Sequence, residues 1–330
     1  SEVAPFAKTG GLADVAAGLA RYLASHGHEV RLFLPLYRQI RDGDWELTPS
    51  EAVRDVGIAL GSRTYTFSLA TTPLPPSDGS GTDAGPPVHV VDCPALYDRD
   101  GLYTQDEDEP LRFALLSLAA IESCQRMQWA PDVFHVNDWH TGLLPLYLRT
   151  AYAWDRLFAD TRTLLTIHNI GYQGVFGASA LEALRLMDQR QHLDQDDLRN
   201  GTINFLKTGL LHADALTTVS ERYAEEIQTP EYGMGLEGVL RRRHDVLHGI
   251  VNGIDYGDWD PATDPLIPHR YSAEDFAGKR RNKQALLEGF HLAYDERVPV
   301  LGIVSRLTHQ KGFELLPDVL PVLLQREDLR

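Results

Sequence analysis

The chain has 330 residues, 43% apolar and 24% charged, a balance that fits a globular protein of about two domains at ~150 residues each. Its 31 Lys and Arg against 47 Asp and Glu leave a formal charge of −16, which excludes the basic stripe of a protein that wraps nucleic acid. No apolar run approaches the ~18 residues of a membrane span. Two cysteines, Cys93 and Cys124, with no CxxC between them, point to a reducing compartment rather than a disulfide scaffold or zinc cluster.

Leu12, Val15, Ala16, Leu19 and Leu23 recur at helical spacing, and a strand-like run follows at 30–34. The alternation continues with a strand at 88–91, a long helix at 111–127, a strand at 133–136, a helix at 141–147 and strands at 163–167 and 215–219. Ser220 stands as a cap before a further helix over 221–228. This order defines an α/β layer fold. Residues 71–87, rich in Pro, Gly and Ser, read as a loop. Residues 255–268 lack periodicity and read as a crossover between domains, after which 298–304 predicts the first strand of a second α/β unit. Both ends read as cut. The chain starts at Ser1 with a candidate active loop within ten residues, and it stops after one helix of the second domain.

Several motifs carry chemistry. Lys8-Thr9-Gly10-Gly11-Leu12 precedes a helix, so its glycines admit close backbone approach while Lys8 and the helix N-terminus attract an anion. An ordinary glycine-rich turn fits the same residues, and the Walker A spacing is absent. The 233–238 segment matches GxGxxG, but a helical segment and Pro230 precede it where a dinucleotide fold needs a strand. His135, Asp138 and His140 follow a strand, as does the 166–174 run with His168, Asn169, Tyr172 and Gln173; polar side chains at strand ends suit a hydroxyl-rich ligand. Metal ligation by the first group lacks a zinc-type spacing, and structural hydrogen bonding beneath a sugar site is the better reading. Arg306 and Lys311 lie five apart after the 298–304 run, two cations placed for an anion in an acidic chain.

Taken in order, KTGGLADV, YDRDGLY, LRFALLS, HVNDWHTGL, TIHNIGYQGVF, NFLKTGLLHADALTTVS, YGMGLEGVL, VNGID and SRLTHQKG resemble the blocks of the starch and glycogen synthase family of retaining glycosyltransferases. The resemblance implies two Rossmann-like domains facing a cleft (the GT-B arrangement), with 1–250 as the N-terminal catalytic domain and 251–330 as the crossover and start of the nucleotide-binding domain. It implies an ADP-glucose donor, an α-1,4-glucan acceptor, no cofactor, no metal ion, and a location in the bacterial cytoplasm or the plastid stroma. Lys8, Gly10 and Gly11 match donor-contacting positions. Asp14, Tyr103, His168 and Asn252 match positions lining the glucose pocket, and Arg306 and Lys311 match the pair that grips the diphosphate. With His168, that pair forms the expected catalytic set. The family's acidic motif near the donor sugar has no counterpart among these residues. A sucrose synthase-like or trehalose-phosphate synthase-like enzyme shares the Arg and Lys pair but is not expected to carry KTGGLADV and TIHNIGYQG together. A silent glucan-binding protein could keep the sugar pocket and lose the cations, yet Lys8, Arg306 and Lys311 are all present.

Overall fold

A computed structural model describes residues 1–77, 85–326 and 329. The chain divides into two compact units, Ser1–Ile254 and Asp255–Arg330. The first unit carries all eleven described strands. In chain order these are β1 Leu32–Pro35, β2 Thr48–Pro49, β3 Val56–Leu60, β4 Arg63–Pro73, β5 Pro87–Asp92, β6 Val133–Asn137, β7 Arg162–Ile167, β8 Val175–Gly177, β9 Thr202–Asn204, β10 Ala215–Thr218 and β11 Leu247–Gly249.

One sheet runs β1-β5-β4-β2, with β3 paired to β4 off that path. β1 and β5 are parallel, and the remaining pairs are antiparallel. The second sheet, β11-β10-β7-β6, is parallel throughout. Parallel strands need helices on their faces, and the sequence supplies them. The helix Gly11–Ser25 buries Leu12, Ala13, Ala17 and Ala20. The helix Glu109–Arg126 is buried along nearly its whole length, because its residues are apolar almost all round. It belongs to the larger of two cores, which continues through Val136, Leu165 and Leu216 of the parallel sheet.

A polar line crosses that sheet. His135 Nε2 lies 2.7 Å from Thr166 Oγ1, which lies 2.6 Å from Thr217 Oγ1 on β10. These contacts satisfy the Thr166 and Thr217 hydroxyls, whose burial would otherwise be costly, while the His135 ring stays exposed, and they pin the register of β6, β7 and β10.

Most expected elements form close to their predicted bounds, and Ser220 caps its helix by accepting from the Tyr223 amide at 2.9 Å. Three expectations need correction. The helix at 141–147 is a 3-10 turn, Trp139–Thr141, followed by a separate helix, Leu144–Arg149. The 71–87 loop begins later than expected, since β4 runs to Pro73 and pairs there with Pro87 of β5; its centre, 78–84, lies outside the described residues. The 298–304 run is not a strand. Its amides and carbonyls find no ladder partner among the described residues, and an apolar run becomes a strand only when a neighbouring strand takes up those groups. Helices Ala277–Gly289 and Leu316–Arg326 do form in the second unit.

Candidate functional site

The glycine-rich loop leads into the helix Gly11–Ser25, with Gly10 as an extended N-cap that has no side-chain partner. Beneath the loop lies Glu2, 5% exposed. Its Oε2 accepts from the Thr9 amide at 2.6 Å and the Gly10 amide at 3.3 Å. Its Oε1 accepts from Thr9 Oγ1 at 2.7 Å and from the Tyr103 hydroxyl at 2.6 Å. The Thr9 and Gly10 amides are therefore already used inside the protein, and the helix presents its first amides to an anion from Gly11 onward. A Cβ added at Gly10 or Gly11 would meet nothing within 4 Å, so this side of the loop is open to close approach. Lys8 pairs with Asp14 of the first helical turn at 2.7 Å, both side chains being substantially exposed, which fixes the ammonium near the helix start at little energetic gain.

Tyr103 links this loop to the parallel sheet. Its ring stacks on His140 with centroids 4.5 Å apart, and His140 also meets Phe113 and Trp139. The His140 ring is buried and holds its proton poorly, first because of burial. Just before it, at the carboxyl end of β6, Asp138 adopts φ 51°, a conformation that favours glycine and is costly for other residues. That kink turns the Asp138 carboxylate toward the loop after β7. There it accepts from the His168 amide at 2.7 Å and the Asn169 amide at 3.3 Å. Burial raises the Asp138 carboxyl to about 7, against the lowering effect of those two amides.

The His168 ring nitrogen Nε2 lies 2.8 Å from Asn137 Oδ1. Burial lowers His168 to about 4, so the ring is neutral near pH 7. A neutral ring that donates from Nε2 to the Asn137 carbonyl keeps Nδ1 as an acceptor. Gln173 fixes the other end of the same loop, donating 3.0 Å to the Met234 carbonyl while accepting from Asn204 Nδ2 at 2.6 Å. The GxGxxG residues thus follow a helix and a turn, not a strand, and lead into the helix Glu237–Arg242.

The structure brings Lys8, Gly10, Gly11, Asp14 and Tyr103 together around Glu2, and it joins Tyr103 through His140 to the β6 end that carries Asp138 and supports His168. Asn252 lies exposed after β11 in the same unit. Arg306 and Lys311 belong to the second unit, where both are exposed and Lys311 closes the 3-10 turn His309–Lys311. Sequence reasoning missed Glu2 and gave Asp138 no specific role. A signal existed for each. Glu2 is an acidic residue in an otherwise apolar run before the glycines, and Asp138 sits directly after a strand end.

Neutral rings and a buried carboxyl thus gather at the carboxyl ends of parallel strands, linked to an open glycine-rich loop, and in α/β proteins such strand ends are where ligands bind. The comparisons are more specific. The family model described as the starch synthase catalytic domain matches residues 1–242, and the chain belongs to that family. It is 44% identical over 323 residues to a glycogen synthase of Koribacter versatilis, covering 97% of this chain and 64% of that protein. It is 40% identical over 325 residues to glycogen synthase 2 of Geobacter metallireducens, covering 97% of this chain and 65% of that protein. Among solved structures it is similar to the catalytic domain of starch synthase IV from Arabidopsis thaliana bound to ADP and acarbose, with a TM-score of 0.86 and 32% identity, covering 98% of this chain and 65% of that one. The chain thus spans just under two thirds of the length of these relatives, and its fold is that of a GT-B starch synthase catalytic domain.

Proposed function

We propose that this chain is the larger part of a glycogen or starch synthase that moves glucose from ADP-glucose to the non-reducing end of an α-1,4-glucan with retention. The observation that carries the reading is the open Lys8–Gly11 loop held, through Glu2 and Tyr103, to the strand end that supports a neutral His168. A sugar hydroxyl donates to His168 Nδ1, and Lys8 meets the donor's phosphates. Residues 1–250 form the catalytic domain that holds glucose, with Asp14, Tyr103 and Asn252 lining its pocket, and 251–330 begin the nucleotide-binding domain. Arg306 and Lys311 grip the diphosphate there.

Retention follows from attack by the acceptor hydroxyl on the face from which the diphosphate leaves. The new glycosidic C–O bond forms as the bond to phosphate oxygen breaks, through an oxocarbenium-like state, and the hydroxyl proton passes to the departing phosphate. Charge grows on that phosphate, and preorganised cations offset it; removing one such donor typically costs ~3 kcal/mol, about a hundredfold in rate. The ADP and acarbose bound to the Arabidopsis relative support an adenine-nucleotide donor and a sugar ligand. The test is incorporation of glucose into glycogen by the intact protein. We expect turnover with ADP-glucose well above that with UDP-glucose, and a loss of about a hundredfold in kcat/KM for Arg306→Ala or Lys311→Ala. Equal or faster use of UDP-glucose would remove the donor assignment.

A further inference from the structure

Glu2 is a charged group that touches both the glycine-rich loop and the tyrosine beside the strand end. We propose that it is a positioning residue, a buried carboxylate that fixes the Lys8–Gly11 loop and the Tyr103 hydroxyl relative to each other. The inference rests on the reading above for its catalytic consequence, and on geometry alone for the latch itself. Each carboxylate oxygen takes two donors. Oε2 holds the backbone of the loop through two amides, while Oε1 holds two hydroxyls, one from Thr9 and one from Tyr103. These partners lie seven and 101 residues away along the chain, so a single side chain sets the distance between two segments that the sequence keeps far apart. The carboxylate is almost fully buried, and four donors offset the cost of that burial. With its lone pairs used in this way, Glu2 is poorly placed to act as a nucleophile or a base toward substrate, which separates positioning from catalysis.

The chemistry distinguishes a latch from a charge. In Glu2→Gln the amide oxygen can keep both backbone amides, and the amide nitrogen can donate to the two hydroxyls, which rotate to accept. Geometry then survives and charge does not. In Glu2→Ala both are lost. The test combines hydrogen–deuterium exchange of the amides of 8–13 with donor and acceptor kinetics in the intact protein. We expect Glu2→Ala to speed exchange in the loop at least tenfold and to raise the donor KM at least tenfold with a smaller change in the acceptor KM. Glu2→Gln should return both to within about threefold of the parent. Thr9→Val, which removes one hydroxyl and leaves the carboxylate, should give an intermediate effect should Glu2→Ala not fold.

Unchanged loop exchange in Glu2→Ala, or in Thr9→Val when that variant must stand in, overturns the latch. So does a Glu2→Gln protein whose exchange is restored while its kinetics stay as poor as those of Glu2→Ala, because charge would then be the cause. A parent protein that transfers no glucose, yet whose loop loosens in Glu2→Ala, refutes the functional reading and leaves the latch standing.

Discussion

Burial decides the charge of the ionisable groups at the strand ends, and it does so with opposite signs for acid and base. His168 falls from an ordinary 6.5 to about 4, and His140 falls well below its ordinary value, with burial as the leading cause of each. Their contribution to stability is complete above pH 6.5 and is lost as pH falls toward 4. Asp138 rises from 3.8 to about 7, also through burial, so its contribution is complete below pH 3.8 and is lost as pH rises through 7. The two trends oppose each other over the same window, and two histidines outweigh one carboxyl. Thermal melting should therefore rise from about pH 4 to a plateau near pH 7, less steeply than the histidines alone would give, because Asp138 loses its contribution over the same range. Asp138→Asn, which stays neutral throughout, should steepen that rise and leave the plateau flat. An unchanged slope between about pH 4 and 7 in that variant would mean that Asp138 is already ionised in the folded protein across this range.

At the scale of elements, the strand end that bears Asp138 depends on a close approach between glycines. A Cβ at Gly142 would lie 2.3 Å from the Phe205 carbonyl, and one at Gly209 would lie 2.4 Å from Leu165 Cδ1 and 2.9 Å from the Gly142 carbonyl. The helix Phe205–His212 thus seats directly on the turn that follows Asp138, and this contact explains why the expected 141–147 helix breaks into two pieces. Gly209→Ala should cost about 1–3 kcal/mol, the usual range for overpacking, and lower the melting temperature by several degrees. Gly238→Ala is the matched control, since its nearest neighbour would be the Arg242 Nη1 at 3.8 Å and alanine favours a helix over glycine. A melting temperature that holds in Gly209→Ala would show that the helix can shift without strain. Legibility divides along the same line. The buried parallel strands and the long helix were plain from their continuous apolar runs. The β3–β4 hairpin carried an unread signal in the alternation of Val56, Ile58 and Leu60 before Gly61. Glu2 itself stood out as an acid in an apolar run, but its partnership with Tyr103 could not be read, because it joins residues 101 apart and local spacing holds no trace of that contact.

The two units differ in how completely they bury their apolar residues. The first encloses two cores, whereas among the described residues the second buries only Leu287 and Val298 of its large apolar side chains. Leu301, Ile303, Val304, Leu307 and Leu315 are exposed there, in and beyond the run that the sequence predicts as a strand. A unit of 76 residues with so little buried apolar area gains little hydrophobic stabilisation to set against the entropy of ordering it. Local opening should therefore concentrate in the second unit, since segments with few buried contacts open at low free energy. Expressed as these 330 residues, the chain should be cut first within about 255–310 under limited proteolysis, leaving a resistant core of about 250 residues whose melting transition is unchanged by the cut. The same 330 residues should incorporate no glucose into glycogen, because Arg306 and Lys311 sit in the unit that opens. Sustained incorporation by the 330-residue chain would show that its second unit is ordered enough to hold the diphosphate, and resistance of 255–310 to cleavage would show that the exposed apolar run is covered in solution.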